Sequence, residues 1–244
     1  MAKLSEIEWT EATWNPWHGC LRISPGCAHC YMYRDKKRYG QDPSNVTKSK
    51  TSFDAPLKWQ QPRLIFTCSW SDFFIEEADP WREDAWNVIR NTPQHTYQIL
   101  TKRPERINSH LPSDWPFENV WLGVSVENQR FYNRINVLQR IPSQVRFLSL
   151  EPLLAPMPAL PLDGISWVIV GGESGPHCRP MKAQWVREIQ LQCLTSRVPF
   201  FFKQWGGVRK RTAGRTLDGK EWNEMPESRQ PISPSLVQVS ALGR

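Results

Sequence analysis

The chain has 244 residues, 39% hydrophobic and 23% charged; this suits one packed β/α domain and argues against wholesale disorder. No apolar run approaches the roughly 20 residues that span a bilayer, and the opening MAKLSEIEWTEATWNP lacks the apolar core of a secretory signal, so a cytoplasmic protein with no membrane partner is expected. The formal charge of +7 permits a nucleic-acid or phosphate-bearing partner without demanding one.

Short apolar runs dense in Val, Ile, Phe and Leu recur along the chain. After a first strand over 8–13, they predict strands at 64–67 (LIFT), 97–100 (YQIL), 120–126 (VWLGVSV), 145–150 (VRFLSL), 167–170 (WVIV) and 199–202 (PFFF). Their weak polar alternation is that of strands covered on both faces. Between them, 79–90 opens with Asp-Pro, a helix start with proline in its first turn. The stretch 129–140 places Phe131, Ile135 and Leu138 on one stripe, and 183–194 does so with Val186, Ile189 and Cys193. A shorter helix is predicted over 103–110.

Strands alternating with helices predict parallel pairing through crossovers. The expected fold is α/β, a partial barrel of six to seven parallel strands, with an open doubly wound sheet as the rival. The barrel is expected over 1–206, with a cluster-binding loop at 18–31. Residues 207–244 read as a basic, partly irregular extension without a clear core contribution, ending in a loosely held tail over 232–244. Thirteen tryptophans point to core packing before base stacking.

Six cysteines in a reducing compartment read as metal ligands or buried thiols rather than a disulfide framework. Three of them, Cys20, Cys27 and Cys30, stand in WNPWHGCLRISPGCAHCYMY directly after the first strand, spaced C-x6-C-x2-C. Pro25 and Gly26 supply the turn that folds such a loop back on itself. The following YMYRDKKRYG predicts a helix with Cys30 at its first turn, where backbone N–H groups favour a thiolate. Iron–sulfur clusters usually take four cysteines, so three suggest a cubane with one iron open to a small molecule. The alternative is a structural zinc of Cys3His type completed by His18 or His29.

The stretch TWNPWHGC…SPGC..CY resembles the signature of a bacteriophage-associated family of three-cysteine-motif proteins, a group similar to radical S-adenosylmethionine (SAM) enzymes. Ser149-Leu150-Glu151-Pro152-Leu153, Gly171-Gly172-Glu173-Ser174-Gly175, Phe202-Lys203-Gln204-Trp205-Gly206 and Leu217-Asp218-Gly219 extend the resemblance over roughly residues 9–226. It implies a partial β/α barrel and a [4Fe–4S] cluster held by Cys20, Cys27 and Cys30. It further implies SAM bound to the open iron, and reduction by an electron donor to give a 5′-deoxyadenosyl radical that takes a hydrogen from the substrate. The sequence departs from the radical SAM pattern in its six-residue first gap, and in having His29 before the last cysteine and Tyr31 after it. Tyr31 is then the aromatic candidate beside SAM. Gly171-Gly172-Glu173 follows a late strand rather than the second, so the SAM-amino role is not carried over to Glu173.

In a barrel, polar residues just past each strand converge on one face. Here they are Ser69, Ser71 and Asp72; Thr101 and Lys102; Ser125 and Glu127; Ser149 and Glu151; Glu173 and Ser174; and Lys203 with Gln204. Glu151, between an apolar strand and Pro152-Leu153, is the leading catalytic candidate beside the cysteines. Glu151 and Glu127 are expected at the ribose hydroxyls or methionyl ammonium of SAM, with Asp72 and Lys203 in the same region; a structural ion pair with Lys102 or Lys203 is the competing reading. Gly171 and Gly172 would let backbone approach the adenine or the methionyl carboxylate, or simply make a tight turn. Cys178 reads as a hydrogen donor or an inert thiol, and Cys68 and Cys193 as core. No Walker, serine-hydrolase or zinc-protease motif occurs.

The expectation is a radical SAM-type iron–sulfur enzyme with SAM and an electron donor as partners, and a partner protein as a further option. Lys203, Arg209, Lys210, Arg211 and Arg215 crowd together and favour DNA, RNA or a nucleotide as substrate. The alternatives are a zinc-containing nucleic-acid-binding protein and an electron-transfer protein that binds no SAM.

Overall fold

The computed structural model describes residues 5–227. Seven strands, β1 (Ala12–Trp14), β2 (Leu64–Thr67), β3 (Thr96–Thr101), β4 (Val120–Ser125), β5 (Val145–Leu150), β6 (Trp167–Gly171) and β7 (Phe200–Gln204), lie side by side in sequence order. Every neighbouring pair is parallel. Helices α1 (Tyr31–Arg38), α2 (Asp79–Arg90), α3 (Tyr132–Gln139) and α4 (Ala183–Thr195) occur among the crossovers.

The sheet is curled, and aromatic contacts show by how much. Flat, with strands about 4.8 Å apart, β1 and β6 would stand about 24 Å from each other. Yet the ring of Trp9, just before β1, lies 6.2 Å from that of Trp167 on β6 and 6.3 Å from that of Phe147 on β5. The strands therefore wrap into a partial barrel around Trp9, and the rival open doubly wound sheet is excluded.

Pleating sorts each strand's side chains between two cores. Trp121, Val145, Phe147, Trp167, Ile169 and Phe201 join Trp9 inside the curl. Their alternates, such as Leu148, Val168, Val170 and Phe202, face outward in a larger core shared with Ala85, Ile89, Ile135, Val186 and Ile189 of the helices. Both faces are buried, which is why the sequence of these strands lacks clean alternation.

Several boundaries differ from the sequence reading. The first strand is Ala12–Trp14 rather than 8–13, because Ser5–Thr10 forms a turn (Ser5 N to Glu11 O, 2.8 Å; Thr10 N to Ile7 O, 3.2 Å). That turn delivers Trp9 into the barrel. The helix predicted over 103–110 is two 3-10 turns, Pro104–Arg106 and Asn108–His110. The one predicted from 129 begins with a 3-10 turn whose cap, Asn128, accepts from Arg130 N at 3.0 Å.

The segment after Gly206 does contribute to the core, which corrects the expectation. A hairpin pairs Thr216–Leu217 with Lys220–Glu221 and buries Leu217. Beyond it the chain runs along β7, with Phe202 N donating to Trp222 O at 2.9 Å and an antiparallel bridge from Phe201 to Asn223. The tail over 232–244 lies outside the described residues. No described helix is long and apolar enough to cross a membrane.

Candidate active site

A cavity of about 830 Å³ opens at the C-terminal ends of the strands. Of the polar residues that the sequence places just past the strands, all but Glu127 line it. Trp9, Phe66 and Leu100 are also on its wall, so the cavity reaches down to the aromatic plug of the barrel.

Cys20, Cys27 and Cys30 border this cavity from one side, all as free thiols. Cys30 is the N-cap of α1. Burial pushes its thiol up, and the backbone N–H groups of Met32 and Tyr33 at the start of α1 pull the other way. Burial, aided by the Asp72 charge, pushes Cys20 up to about 12, with Arg103 opposing. Among the described residues, no three His, Cys, Asp or Glu side chains are placed to hold one ion. His29 lines the cavity with its ring 6.5 Å from that of His177, while His18 packs edge-on to Trp70.

Charged groups pin the cysteine loop from several sides. Arg103, buried, donates through Nη2 to Leu21 O (3.0 Å), and through Nη1 to Asp72 Oδ2 (3.1 Å) and Cys20 Sγ (3.9 Å). The Tyr33 hydroxyl donates to Cys20 O. Ser24 Oγ donates to Glu127 Oε1 at 2.5 Å. Arg179 donates through Nη2 to Pro25 O (3.0 Å) while also bonding the buried Glu173.

Glu127 stands behind the wall rather than on it. Fully buried, it accepts from Lys102 Nζ (2.6 Å), Ser24 and Arg134 (3.1 Å). Burial opposes its ionisation, but these partners hold its pKa below the ordinary value. Asp72 is on the wall with its oxygens already engaged, by Thr101 Oγ1 (2.6 Å), Lys102 N (2.9 Å), Phe74 N (2.9 Å) and Arg103.

Glu151 and Lys203 form a 2.8 Å ion pair across the tops of β5 and β7, both on the cavity wall; this is the pairing that the sequence offered as the competing reading. Ser149 Oγ supports Glu151 from 3.2 Å. Tyr31 also lines the cavity, its ring partly exposed and its hydroxyl on Ser69 O. Gly172 lines it too, whereas Gly171 packs under Glu151. Of the basic residues that crowd together in sequence, Lys203 is on the cavity wall and Arg209 is exposed. Cys68 and Cys193 are buried, and Cys178 is half-buried.

Sequence reasoning missed Arg103, Ser24, Arg179 and Trp9. Arg103 lay one residue past Thr101-Lys102, so the strand-end rule nearly reached it. Ser24 and Arg179 carried no local signal for pinning the loop, because the bonds that do so join residues 103 and 154 apart.

A family model described as Protein of unknown function (DUF5131) matches residues 4–226. Among curated proteins the comparison found no match. Among solved structures, a doubly substituted spore photoproduct lyase with bound AdoMet and a dinucleoside spore photoproduct aligns with a TM-score of 0.47 and 12% identity. The alignment covers 75% of this chain and 61% of that one.

Proposed function

The chain belongs to the family Protein of unknown function (DUF5131), and we propose that it is a radical SAM-type iron–sulfur enzyme acting on nucleic acid or a nucleotide. The observation that carries this reading is three free thiols facing one cavity at the C-terminal mouth of a β/α barrel, where catalytic groups of such folds gather. A cluster needs a different ligand geometry from a single ion. Each thiolate meets its own iron, so the sulfurs share a volume without converging on a point. The donor set fits: three cysteines, with the start of α1 and the cations Lys102 and Arg103 close by to offset an anionic group. When bound, the cluster supplies the electron that cleaves SAM into methionine and a 5′-deoxyadenosyl radical.

The chain's own residues hold and orient. We assign direct contact with SAM to Tyr31, Gly172, Glu151 and Lys203, which face the cavity. Glu151 is the group beside the reacting atoms, its carboxylate kept in place by Lys203 and Ser149. Asp72, on the wall, acts through Arg103, and Glu127 and Gly171 act from behind it, through Lys102 and Glu151 respectively. The aromatic plug keeps water from entering from below. Arg34, on the cavity wall and ion-paired with Asp35, and the exposed Lys37 and Arg38 give α1 a basic outer face, which suits a phosphate backbone.

The test is anaerobic purification with iron, sulfide and zinc analysis, and EPR of the reduced protein with and without SAM. About four irons per chain, with a spectrum that SAM perturbs, are expected. Stoichiometric zinc without sulfide would overturn the reading in favour of a zinc-containing binding protein. A cluster indifferent to SAM would leave an electron-transfer protein.

A further inference from the structure

We infer that Arg103 is a positioning residue that fixes Cys20 and raises the reduction potential of the group the three thiolates hold. The inference rests on the iron–sulfur reading above but goes beyond it, since the cysteine motif itself says nothing of Arg103.

The geometry is a braced cation. Asp72 is immobilised by three donors other than Arg103: Thr101 Oγ1, Lys102 N and Phe74 N. It anchors Arg103 Nη1 at 3.1 Å, and the same nitrogen reaches Cys20 Sγ at 3.9 Å. The second terminal nitrogen holds Leu21 O at 3.0 Å. One planar fork thus grips the backbone beside the ligand and sets a charge against its sulfur. A guanidinium suits this, because it keeps its proton at any working pH and presents its donors in fixed directions.

Arg103 is 7% exposed, so water screens its field poorly. Reduction adds one negative charge to the thiolate-bound group, and a fixed cation nearby favours that state. Asp72, an anion near the same sulfur, opposes it. The two therefore act with opposite signs.

The experiment is an EPR-monitored redox titration, without SAM, of the full chain carrying its reconstituted cluster, on wild type, Arg103→Gln, Arg103→Lys and Asp72→Asn. Arg103→Gln is titrated on the protein that retains its iron and sulfide. Its reduction equilibrium should shift about tenfold toward the oxidised form, a potential lower by about 59 mV for a one-electron couple. Arg103→Lys should recover most of that shift, and Asp72→Asn should move the potential upward. A Gln variant with full cluster content and an unchanged potential would overturn the inference, as would a Lys variant no better than Gln. If Arg103→Gln does not hold the cluster, Arg103→Met, which keeps a long stem without the charge, decides instead: a lowered potential supports the inference and an unchanged one sinks it. Wild type without iron and sulfide would instead sink the iron–sulfur reading itself, so the two failures are distinguishable.

Discussion

Gly26 shows at a single residue how tightly the cysteine loop is set against the barrel. A Cβ there would stand 2.6 Å from Glu127 Cγ and 2.8 Å from its carboxyl carbon. Glu127 cannot retreat, since Lys102, Ser24 and Arg134 hold it. Gly26→Ala is therefore expected to cost about 1–3 kcal/mol in urea unfolding and to lower iron content, whereas Ala28→Gly, at an exposed neighbour, leaves iron content unchanged. Acid should loosen the same loop. Burial disfavours the charged forms of Glu127 and Glu173, yet their cationic partners hold both pKa values below the ordinary 4.5. Their contribution to stability is then present above about 4.5 and lost as pH falls through the lower folded values. Melting temperature should drop across that window, and Arg179→Gln should flatten the drop; a wild-type profile level down to about pH 3 would refute the assignment. At this scale the three cysteines and the strand-end carboxylates were legible, because spacing and position mark them. Ser24, Arg103 and Arg179 were not, since what they do depends on partners brought close only by the fold.

Among the elements, the strands were the most readable. Four to six consecutive apolar residues buried on both faces leave little other choice, and 64–67 and 145–150 coincide with β2 and β5 to the residue. The two-residue strands of the C-terminal hairpin carry no periodicity, so the sequence reading missed them. Their anchor is Leu217, 1% exposed against the outer core. Leu217→Ala is expected to lower unfolding free energy by about 2–4 kcal/mol, read by chemical denaturation. Removing everything after Gly206 would also bare the edge of β7 that the chain at 222–224 now covers. An unpaired, apolar edge strand invites pairing with another chain, so that truncation should aggregate at concentrations where the full chain stays dispersed in light scattering.

For the molecule as a whole, parallel order followed from strands alternating with helices, and the partial barrel expected from the strand count is the fold found. Seven parallel strands are equally compatible with an open sheet. What closes this one is Trp9, brought against β5 and β6 by a turn whose packing spans more than 130 residues of sequence. Trp9→Ala should cost about 3–5 kcal/mol and let water into the cavity floor, a loss that calorimetry reads directly. The plug has an optical consequence as well. Trp9 and Trp70 both face the cavity that the cysteines border, so a strongly coloured group seated there absorbs their emission. Tryptophan fluorescence should fall as the site is loaded and return when the metal is chelated, giving the unlabelled protein a built-in gauge of its own occupancy.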